Sequence, residues 1–296
     1  MTQNHDRREF LQIAAAGAAA LVAGPALGAE GGKNKKGKAR KKRAEAPAPV
    51  ARRTLPFELA LASYTCRKFD LAKTLEMAQQ VGFRHIALKD VHLAMKSTPE
   101  QIKAVVAQVK AAGLDLYGGG VIYMRNEAEV NQAFEYAKAA GMRVIIGVAG
   151  PELLPLVDKK VKEYDIKVAI HNHGPTDKVY PIPETAYEKI KDLDKRIGLC
   201  DDIGHTARAG VDSATSLERF ADRLLDIHIK DVTAANPQGS TTVVGRGVIN
   251  IPQVIRTLVK INYTGMVSFE YEDQPDDPLP GLAESVGYVR GVMATI

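Results

Sequence analysis

Residues 70–90 read DLAKTLEMAQQVGFRHIALKD, and they hold one complete unit of the fold. Asp70 is a helix-capping residue, because its carboxylate can accept hydrogen bonds from the backbone amides of the first turn. One face of the helix that follows is apolar, and it carries Leu71, Leu75, Ala78 and Val81. Gly82 is typical of a helix end, and residues 85–88 form a short apolar run typical of a buried strand. The stretch therefore predicts a helix, a turn and a strand, in that order.

The same order recurs along the chain. Further helices are predicted from Thr98 to Gly113, from Asn126 to Gly141, and near 152–164, 184–193, 213–223 and 251–261. The predicted strands are 59–62, 85–88, 114–116, 144–146, 168–170, 197–200, 224–229 and 266–269. Short apolar strands that alternate with amphipathic helices predict a parallel sheet covered by helices. Eight such units predict a (β/α)₈ TIM barrel, which is an α/β fold.

A doubly wound open sheet is the alternative fold. It is disfavoured because no G-x-G-x-x-G pattern follows the first predicted strand. The glycines at 118–120 follow the third predicted strand and lack that spacing. We interpret them as a strand end where two backbones approach closely, and a phosphate-binding loop is the alternative.

The charge of the chain is concentrated at its beginning. The whole chain has 296 residues, 45% of them hydrophobic, and a formal net charge of +5. Residues 1–53 contain 12 Lys/Arg and 4 Asp/Glu, which leaves 28 basic and 31 acidic residues and a net charge of −3 for the rest. This counts against a general nucleic-acid-binding surface, which needs positive charge on the folded body. The two cysteines, Cys66 and Cys200, are too few for a disulfide framework.

The first 53 residues predict export. Arg7 and Arg8 precede an apolar run at 13–24 and small residues near Ala29, a pattern that resembles a twin-arginine signal. The run is too short for an ordinary membrane span, and a buried Ala-rich helix is the alternative. Eight basic residues at 33–43 and the Ala-Pro repeat after them are typical of a flexible segment. We predict a signal peptide at 1–29, a basic flexible tether at 30–53, a barrel at 54–296 and an exported, periplasmic location.

Four consecutive predicted strands end in residue types that bind metal ions. These ends are His171-Asn172-His173-Gly174, Asp201-Asp202-Ile203-Gly204-His205, His228-Ile229-Lys230-Asp231 and Glu270-Tyr271-Glu272. In a TIM barrel the strand ends meet at one rim, which carries the active site. Imidazole and carboxylate ligands without a thiolate favour one divalent ion among Mn²⁺, Zn²⁺, Co²⁺ and Fe²⁺. Because residues two apart share a side of a strand, His171 and His173 can both face the lumen, whereas Asp201 and Asp202 cannot.

Three motifs resemble those of the sugar phosphate isomerase/epimerase group of xylose isomerase-like barrels, which includes inosose dehydratases and ketose 3-epimerases. They are Cys200-Asp201-Asp202-Ile203-Gly204-His205-Thr206, similar to C-x-D-x-G-H, then His228-x-Lys230-Asp231, and Gly265-x-x-x-x-Glu270-x-Glu272. The resemblance covers residues 55–296. It implies that Asp202, His228 and Glu270 are metal ligands. It also implies that His205 hydrogen-bonds a ligand or the substrate, and that His171 replaces a glutamate ligand of many relatives.

The histidine at position 171 changes which residues can transfer protons in the reaction. The resembling epimerases use two metal-bound glutamates as acid and base across an enediolate, and only Glu270 stands at the corresponding positions here. A second proton carrier must come from elsewhere, and the candidates are His173, His205, Lys89 and Lys230. For both lysines an exposed or ion-paired position at the rim is the alternative, and we favour a rim or supporting role for Glu272.

The resemblance implies a divalent-metal-dependent isomerase or epimerase that acts on a small sugar or keto-sugar. A lyase or dehydratase of a 3-keto-sugar or inosose is the first alternative, and a non-catalytic periplasmic carbohydrate-binding protein is the second. The related abasic-site endonucleases are disfavoured by the acidic barrel and the export signal. An exported location favours an unphosphorylated substrate.

Overall fold

The computed structural model describes residues 55–296, which form a closed barrel of eight parallel strands. In chain order the strands are β1 (Glu58–Ala62), β2 (His85–Leu88), β3 (Asp115–Met124), β4 (Val144–Ala149), β5 (Lys167–His171), β6 (Ile197–Asp202), β7 (Leu224–Ile229) and β8 (Met266–Phe269). The barrel closes where β1 pairs in parallel with β8, with Glu58 in register with Met266. The predicted TIM barrel is confirmed, and the open sheet is excluded.

The helices cover the outside of the barrel and follow the strands in alternation. They are α1 (Leu71–Val81), α2 (Pro99–Ala111), α3 (Glu127–Ala140), α4 (Leu154–Tyr164), α5 (Pro183–Ile190), α6 (Ile203–Arg208), α7 (Ser213–Arg219), α8 (Ile251–Lys260) and α9 (Leu279–Met293). The predicted caps are present: Asp70 accepts a hydrogen bond from the amide of Lys73 at 2.8 Å, and Gly82 ends α1 with a φ of 78°.

Some helices differ from the prediction. The helix expected at 184–193 ends at Ile190, and the one expected at 213–223 ends at Arg219 and is followed by a 3₁₀ turn at Ala221–Arg223. Helices α6 and α9 were not predicted. Helix α6 has only six residues, too few for a recognisable periodicity, and it begins directly after Asp202, the last residue of β6.

The predicted end of the third strand is wrong. Strand β3 continues through the glycines at 118–120 to Met124. A Cβ atom on Gly120 would lie 2.4 Å from the carbonyl oxygen of Ile146, and one on Gly118 would lie 2.9 Å from that of Val144. The glycines therefore allow β3 and β4 to approach closely inside the sheet, which removes the phosphate-loop alternative.

The buried apolar side chains form two clusters. The larger cluster fills the space between the barrel and its helices. The smaller one lies around Tyr117, Val144, Ile146 and Cys200, and small residues such as Ala60, Ala87 and Ala169 complete it. Both cysteines are buried and free.

No helix within residues 55–296 is long and apolar enough to cross a membrane. The predicted signal peptide and tether lie outside the described residues.

Candidate metal centre

Four side chains from four consecutive strands converge at the C-terminal end of the barrel. They are His171 at the end of β5, Asp202 at the end of β6, His228 on β7 and Glu270 directly after β8. One donor atom from each lies within 4.8 Å of the other three, and we call this set the four-donor cluster. Nε2 of His171 lies 3.1 Å from Nδ1 of His228, and that Nδ1 lies 3.3 Å from Oε2 of Glu270. The structure thus brings together the four residues proposed from the sequence, and their role as ligands stays a prediction.

The neighbouring carboxylates at the end of β6 have separate partners. Asp201 accepts hydrogen bonds from the hydroxyls of Thr206 at 2.6 Å and Ser216 at 2.8 Å. Asp202 caps α6 by accepting from the amide of His205 at 2.8 Å, and its other oxygen lies in the four-donor cluster. This division agrees with the expectation that adjacent residues of a strand face opposite sides.

Lys230 is buried and lies between two carboxylates of the four-donor cluster rather than at the exposed rim. Its side chain is 2% exposed, and Nζ lies 2.9 Å from Oδ2 of Asp202 and 2.9 Å from Oε2 of Glu270. The same ammonium contacts the carboxylate of Glu272. Of the alternative for Lys230, an exposed or ion-paired position at the rim, the exposed position is therefore wrong, whereas the ion pairing is present.

The loop after β7 is fixed by the carboxylate that follows Lys230 in the sequence. The buried Asp231 accepts hydrogen bonds from the backbone amides of Gly245 at 2.9 Å and Gly247 at 3.0 Å. It also accepts from the amide of Ile249 at 3.1 Å. These bonds anchor the returning part of the loop beside the strand end that carries Lys230.

Opposite charges set the protonation of the centre. Burial alone would raise the pKa of Glu270, but the charges of Lys230 and His228 outweigh it and hold that pKa well below its usual range. Burial alone would lower the pKa of Lys230, yet the surrounding carboxylates raise it well above its usual range. Glu270 is therefore ionised and Lys230 is charged at neutral pH.

The pKa values of the two histidines in the four-donor cluster are shifted in opposite directions. Burial lowers the pKa of His171 to about 3, so this imidazole is neutral at neutral pH. Burial also acts to lower the pKa of His228, but the attraction of Glu270 and its hydrogen bond raise it above the ordinary value. Hence one of the two ring nitrogens of His171 carries no proton over the whole physiological pH range, and its lone pair is available to a metal ion.

The cluster suits a divalent transition metal. Two imidazole nitrogens and two carboxylate oxygens converge, all four side chains are at most 7% exposed, and the donor types fit Mn²⁺, Zn²⁺, Co²⁺ or Fe²⁺. The thiol of Cys200 forms a second group with His171 and His228, which the sequence did not predict. Burial raises the pKa of Cys200 well above its usual range, so the sulfur stays protonated and is a poor ligand.

A cavity of about 250 Å³ opens beside the four-donor cluster. Its walls are formed by Tyr64, Lys89, Val121, Tyr123, His171, His173, His205, Glu270 and Glu272. Of the four-donor cluster, His171 and Glu270 reach the cavity wall. A separate hollow of about 300 Å³, near Ala207 and Val254, contains none of the predicted site residues.

Three of the four candidate proton carriers besides Glu270 line the cavity. Nζ of Lys89 donates a hydrogen bond to the carbonyl oxygen of Val121 at 2.9 Å. Nε2 of His173 lies 2.9 Å from the hydroxyl of Tyr123. Burial lowers the pKa of both His173 and His205, so both rings are neutral at neutral pH. Lys230 is absent from the cavity wall, whereas Glu272, which we expected at the rim or in support, is part of it.

A buried polar group on the same strand as His228 was not anticipated. Asp226 is fully buried, and burial raises its pKa to about 7. Ser268 donates to its Oδ1 at 3.3 Å, and the hydroxyl of Tyr117 lies 2.5 Å from that of Ser268. The sequence contained one signal: Asp226 precedes His228 by two residues, so both side chains project from the same side of β7.

The chain is similar to a known protein family and to several of its members. The profile of the family described as xylose isomerase-like TIM barrel matches residues 71–291. The rhizopine catabolism protein MocC of Rhizobium meliloti is 27% identical over 154 residues, which are 47% of this chain and 46% of that protein. An inosose dehydratase of Mesomycoplasma hyopneumoniae strain 7448 is 32% identical over 153 residues, which are 45% of this chain and 50% of that protein. The chain thus spans about half the length of these relatives.

The solved structures show the same architecture. The crystal structure of a 3-keto-D-glucoside 4-epimerase from E. coli matches with a TM-score of 0.64. The match covers 79% of this chain and 99% of the epimerase, at 16% sequence identity. At this identity the likeness shows a shared fold, and chemistry must be argued from the site itself.

Proposed function

The chain belongs to the xylose isomerase-like TIM barrel family, and from that premise we propose that it is a divalent-metal-dependent isomerase or epimerase of a sugar or keto-sugar. The observation that carries the proposal is the position of Glu270, which belongs to the four-donor cluster and also lines the cavity. A single carboxylate thus joins the predicted metal centre to the space where a substrate would lie.

Each residue of the centre has a role in this reaction. A divalent ion held by the four-donor cluster would act as a Lewis acid on a substrate carbonyl and favour the enediolate. Glu270 is ionised, so its carboxylate is in the form that accepts a proton from the carbon beside that carbonyl. Lys230 keeps Glu270 charged in a site that would otherwise favour its neutral form, and it is one of several neighbours that keep Asp202 charged.

The second proton is assigned to the cavity wall. Lys89, His173 and His205 line the cavity, and Lys230 does not, which favours the first three. His173 follows β5, which lies three strands around the barrel from β8, where Glu270 stands. A neutral imidazole there is able to accept or donate a proton from a different strand end than Glu270.

The cavity favours a small substrate without phosphate. Its volume of about 250 Å³ suits a single sugar or cyclitol ring. Among the described residues that line it, Lys89 is the only lysine or arginine. Phosphate recognition commonly uses several charge-assisted donors, so this lining supports an uncharged carbohydrate.

Elimination of water is the second candidate, and one observation favours it. Both glutamates on the cavity wall, Glu270 and Glu272, come from the end of the same strand, so the described part of the wall holds no pair of opposed glutamates for epimerisation. A dehydratase needs one base for the carbon-bound proton and an acid for the departing hydroxyl, which a lysine or histidine can supply. The similarity to an inosose dehydratase supports the same candidate.

Reaction in deuterium oxide distinguishes the two candidates. The protein, loaded in turn with Mn²⁺, Zn²⁺ or Co²⁺, is incubated with keto-sugars, 3-keto-glucosides and inososes, and the products are read by mass spectrometry and NMR. Isomerisation or epimerisation keeps the composition and introduces deuterium beside the carbonyl, whereas elimination removes one water and leaves an unsaturated ketone.

Two variants control the experiment. Glu270→Gln should lose the reaction, and Glu284→Gln, which removes an exposed partner of Arg246, should keep it. Absence of both exchange and elimination with every metal and substrate would contradict an enzymatic role. Binding of a sugar without turnover would then support the carbohydrate-binding alternative.

Export remains a separate proposal. It is supported by Arg7 and Arg8 before the apolar run at 13–24. Fractionation of a Gram-negative host that expresses the full chain tests it, with Arg7→Lys and Arg8→Lys combined as the variant. The wild type should reach the periplasm and the variant should accumulate in the cytoplasm, while equal distribution of the two would contradict a twin-arginine signal.

A further inference from the structure

We propose that Thr65 is a positioning residue, which fixes Glu270 by hydrogen bonds to the backbone on both sides of that glutamate. The proposal rests on the role proposed above for Glu270 as a metal ligand and base. Thr65 is fully buried and lies in the 3₁₀ turn Ser63–Cys66, which follows β1, and β1 is the barrel neighbour of β8.

The pairing between β1 and β8 stops just before Glu270. The last residues in register are Leu61 and Phe269. After Ala62 the chain leaves the sheet and enters the 3₁₀ turn. Continued by one step, the parallel ladder would bond the amide of Tyr271 to the carbonyl oxygen of Ala62. The departure of β1 therefore leaves the end of β8 in need of another acceptor.

The hydroxyl of Thr65 supplies that acceptor. It accepts a hydrogen bond from the amide of Tyr271 at 2.9 Å and donates one to the carbonyl oxygen of Phe269 at 3.2 Å. A hydroxyl has one proton to donate and two lone pairs that accept, so it can make both bonds at once. One side chain thus continues the pairing of β8 after β1 has ended, and Glu270 lies between the two bonded groups.

The contacts of the Glu270 carboxylate depend on this backbone. Oε2 lies 3.3 Å from Nδ1 of His228 and 2.9 Å from Nζ of Lys230. If the chain frayed after Phe269, the carboxylate would move relative to both partners. A displacement of about 1 Å in an active site can cost about 100-fold in rate. Fixed peptide groups on both sides of Glu270 prevent such a displacement.

The chain that follows β1 also holds other backbone groups near the cavity. Arg67 donates a hydrogen bond to the carbonyl oxygen of Glu272 at 2.9 Å. Ser63 accepts one from the amide of Lys89 at 2.8 Å, directly after β2. Glu272 and Lys89 both line the cavity. Side chains after β1 therefore fix the ends of both neighbouring strands, and the contact of Thr65 belongs to this set.

Loss of the Thr65 hydroxyl should weaken metal binding. Phe269 and Tyr271 are buried, so the freed carbonyl and amide would lack these bonds inside the protein. Groups that orient the ligands of a metal typically contribute about 10- to 100-fold to its affinity. Valine has nearly the shape of threonine and makes neither bond, whereas serine keeps the hydroxyl.

The test compares the full-length wild type with Thr65→Val and Thr65→Ser. Zn²⁺ affinity is measured by competition with a chromophoric chelator, and protection of the Tyr271 amide in the metal-free proteins is measured by hydrogen–deuterium exchange. We expect Thr65→Val to bind Zn²⁺ about 10- to 100-fold more weakly and to exchange this amide faster. Thr65→Ser should restore both the affinity and the protection.

Ser285→Ala is the matched control. The hydroxyl of the buried Ser285 also accepts from a backbone amide, that of Val244 at 3.0 Å, and donates to a backbone carbonyl, that of Gly281 at 2.7 Å. Neither partner belongs to the four-donor cluster or to the described cavity wall. The variant removes the same two kinds of bond elsewhere in the barrel and should bind Zn²⁺ like the wild type.

The outcomes separate the role of Thr65 from the proposed function. A folded Thr65→Val protein with the wild-type affinity overturns the inference, and so does an equal loss in Thr65→Val and Ser285→Ala. A wild type that binds none of Zn²⁺, Mn²⁺ and Co²⁺ overturns the proposed metal centre instead, and exchange of the Tyr271 amide still decides whether Thr65 holds this backbone. Should Thr65→Val fail to fold, the wild type decides alone: a Tyr271 amide as protected as those within β8 supports the inference, and an unprotected amide overturns it.

Discussion

Nζ of Lys230 lies 2.9 Å from Oε2 of Glu270, the same oxygen that lies 3.3 Å from Nδ1 of His228. One buried cation therefore neutralises a carboxylate of the four-donor cluster, and it contacts Asp202 in the same way. Two ionised carboxylates at this depth would otherwise repel each other and lack solvation. The lysine makes the cluster stable before a metal ion binds, and the ion would later supply part of the same compensation.

Replacement of Lys230 by methionine tests this role. We expect Lys230→Met to destabilise the metal-free protein by about 3–5 kcal/mol, because breaking a buried ion pair leaves uncompensated charge. The loss should be smaller with saturating Mn²⁺. Urea unfolding with a chelator and with Mn²⁺ measures both. Lys260→Met, which removes an exposed pair with Glu218, is the control and should cost no more than about 1 kcal/mol. Equal effects of the two variants would show that Lys230 does not compensate the cluster.

The sequence predicted the centre because the relevant residues stand at strand ends. Parallel strands of a barrel finish at one rim, so His171, Asp202 and His228 needed only correct strand assignments to be placed together. The strand assignments came from short apolar runs between capped helices, and Asp70 and Gly82 cap α1 as expected. Local pattern and tertiary structure agree in these elements, which is why the order of the barrel could be derived.

Contacts between side chains of different strands could not be derived in this way. The burial of Lys230 depends on Asp202 and Glu270, which stand at the ends of the two neighbouring strands, and no local pattern shows that the three side chains meet. Strand β3 was underestimated because glycine disfavours isolated strands. Close packing of Gly120 against Ile146 overrides that preference.

Gly120→Ala tests the close contact between β3 and β4. The added methyl group would lie 2.4 Å from the carbonyl oxygen of Ile146, so one backbone must shift. We expect a loss of about 1–3 kcal/mol in the free energy of unfolding, as for other overpacked sites. Gly287→Ala in α9 is the matched control, because no atom outside its own stretch of helix lies within 4 Å of its added carbon. It should gain up to about 1 kcal/mol from helix propensity. Denaturant unfolding of both variants measures these changes. A Gly120→Ala protein with an unchanged free energy of unfolding would contradict the close packing.

His92 should make the stability of the barrel depend on pH. Its ring is buried between the hydroxyls of Ser63, at 2.8 Å, and Thr74, at 3.0 Å, and burial lowers its pKa. Below about pH 6.5 the unfolded chain binds a proton at this residue and the folded protein does not, so the free energy of unfolding falls as the pH falls. His92→Gln removes this contribution.

The comparison is made by urea unfolding at pH 7.5 and pH 5. The free energy of unfolding should fall more in the wild type than in His92→Gln between these two pH values. The contributions of the other histidines cancel in this comparison, because both proteins contain them. An equal loss in the two proteins would show that His92 is protonated as readily in the folded state as in the unfolded chain.

Lys89→Met tests the assignment of the second proton carrier. The ammonium of Lys89 lies on the cavity wall, 2.9 Å from the carbonyl oxygen of Val121, and the side chain is 18% exposed. If Lys89 delivers a proton to the substrate, the variant should lose about 10²- to 10⁴-fold in kcat/KM. Exchange of the substrate's carbon-bound proton in deuterium oxide should survive, because Glu270 is intact. The exposed Lys103 on α2 provides the control variant Lys103→Met, which should retain full activity. Unchanged turnover in Lys89→Met would transfer the role to His173 or His205, and loss of the exchange itself would place Lys89 in proton abstraction.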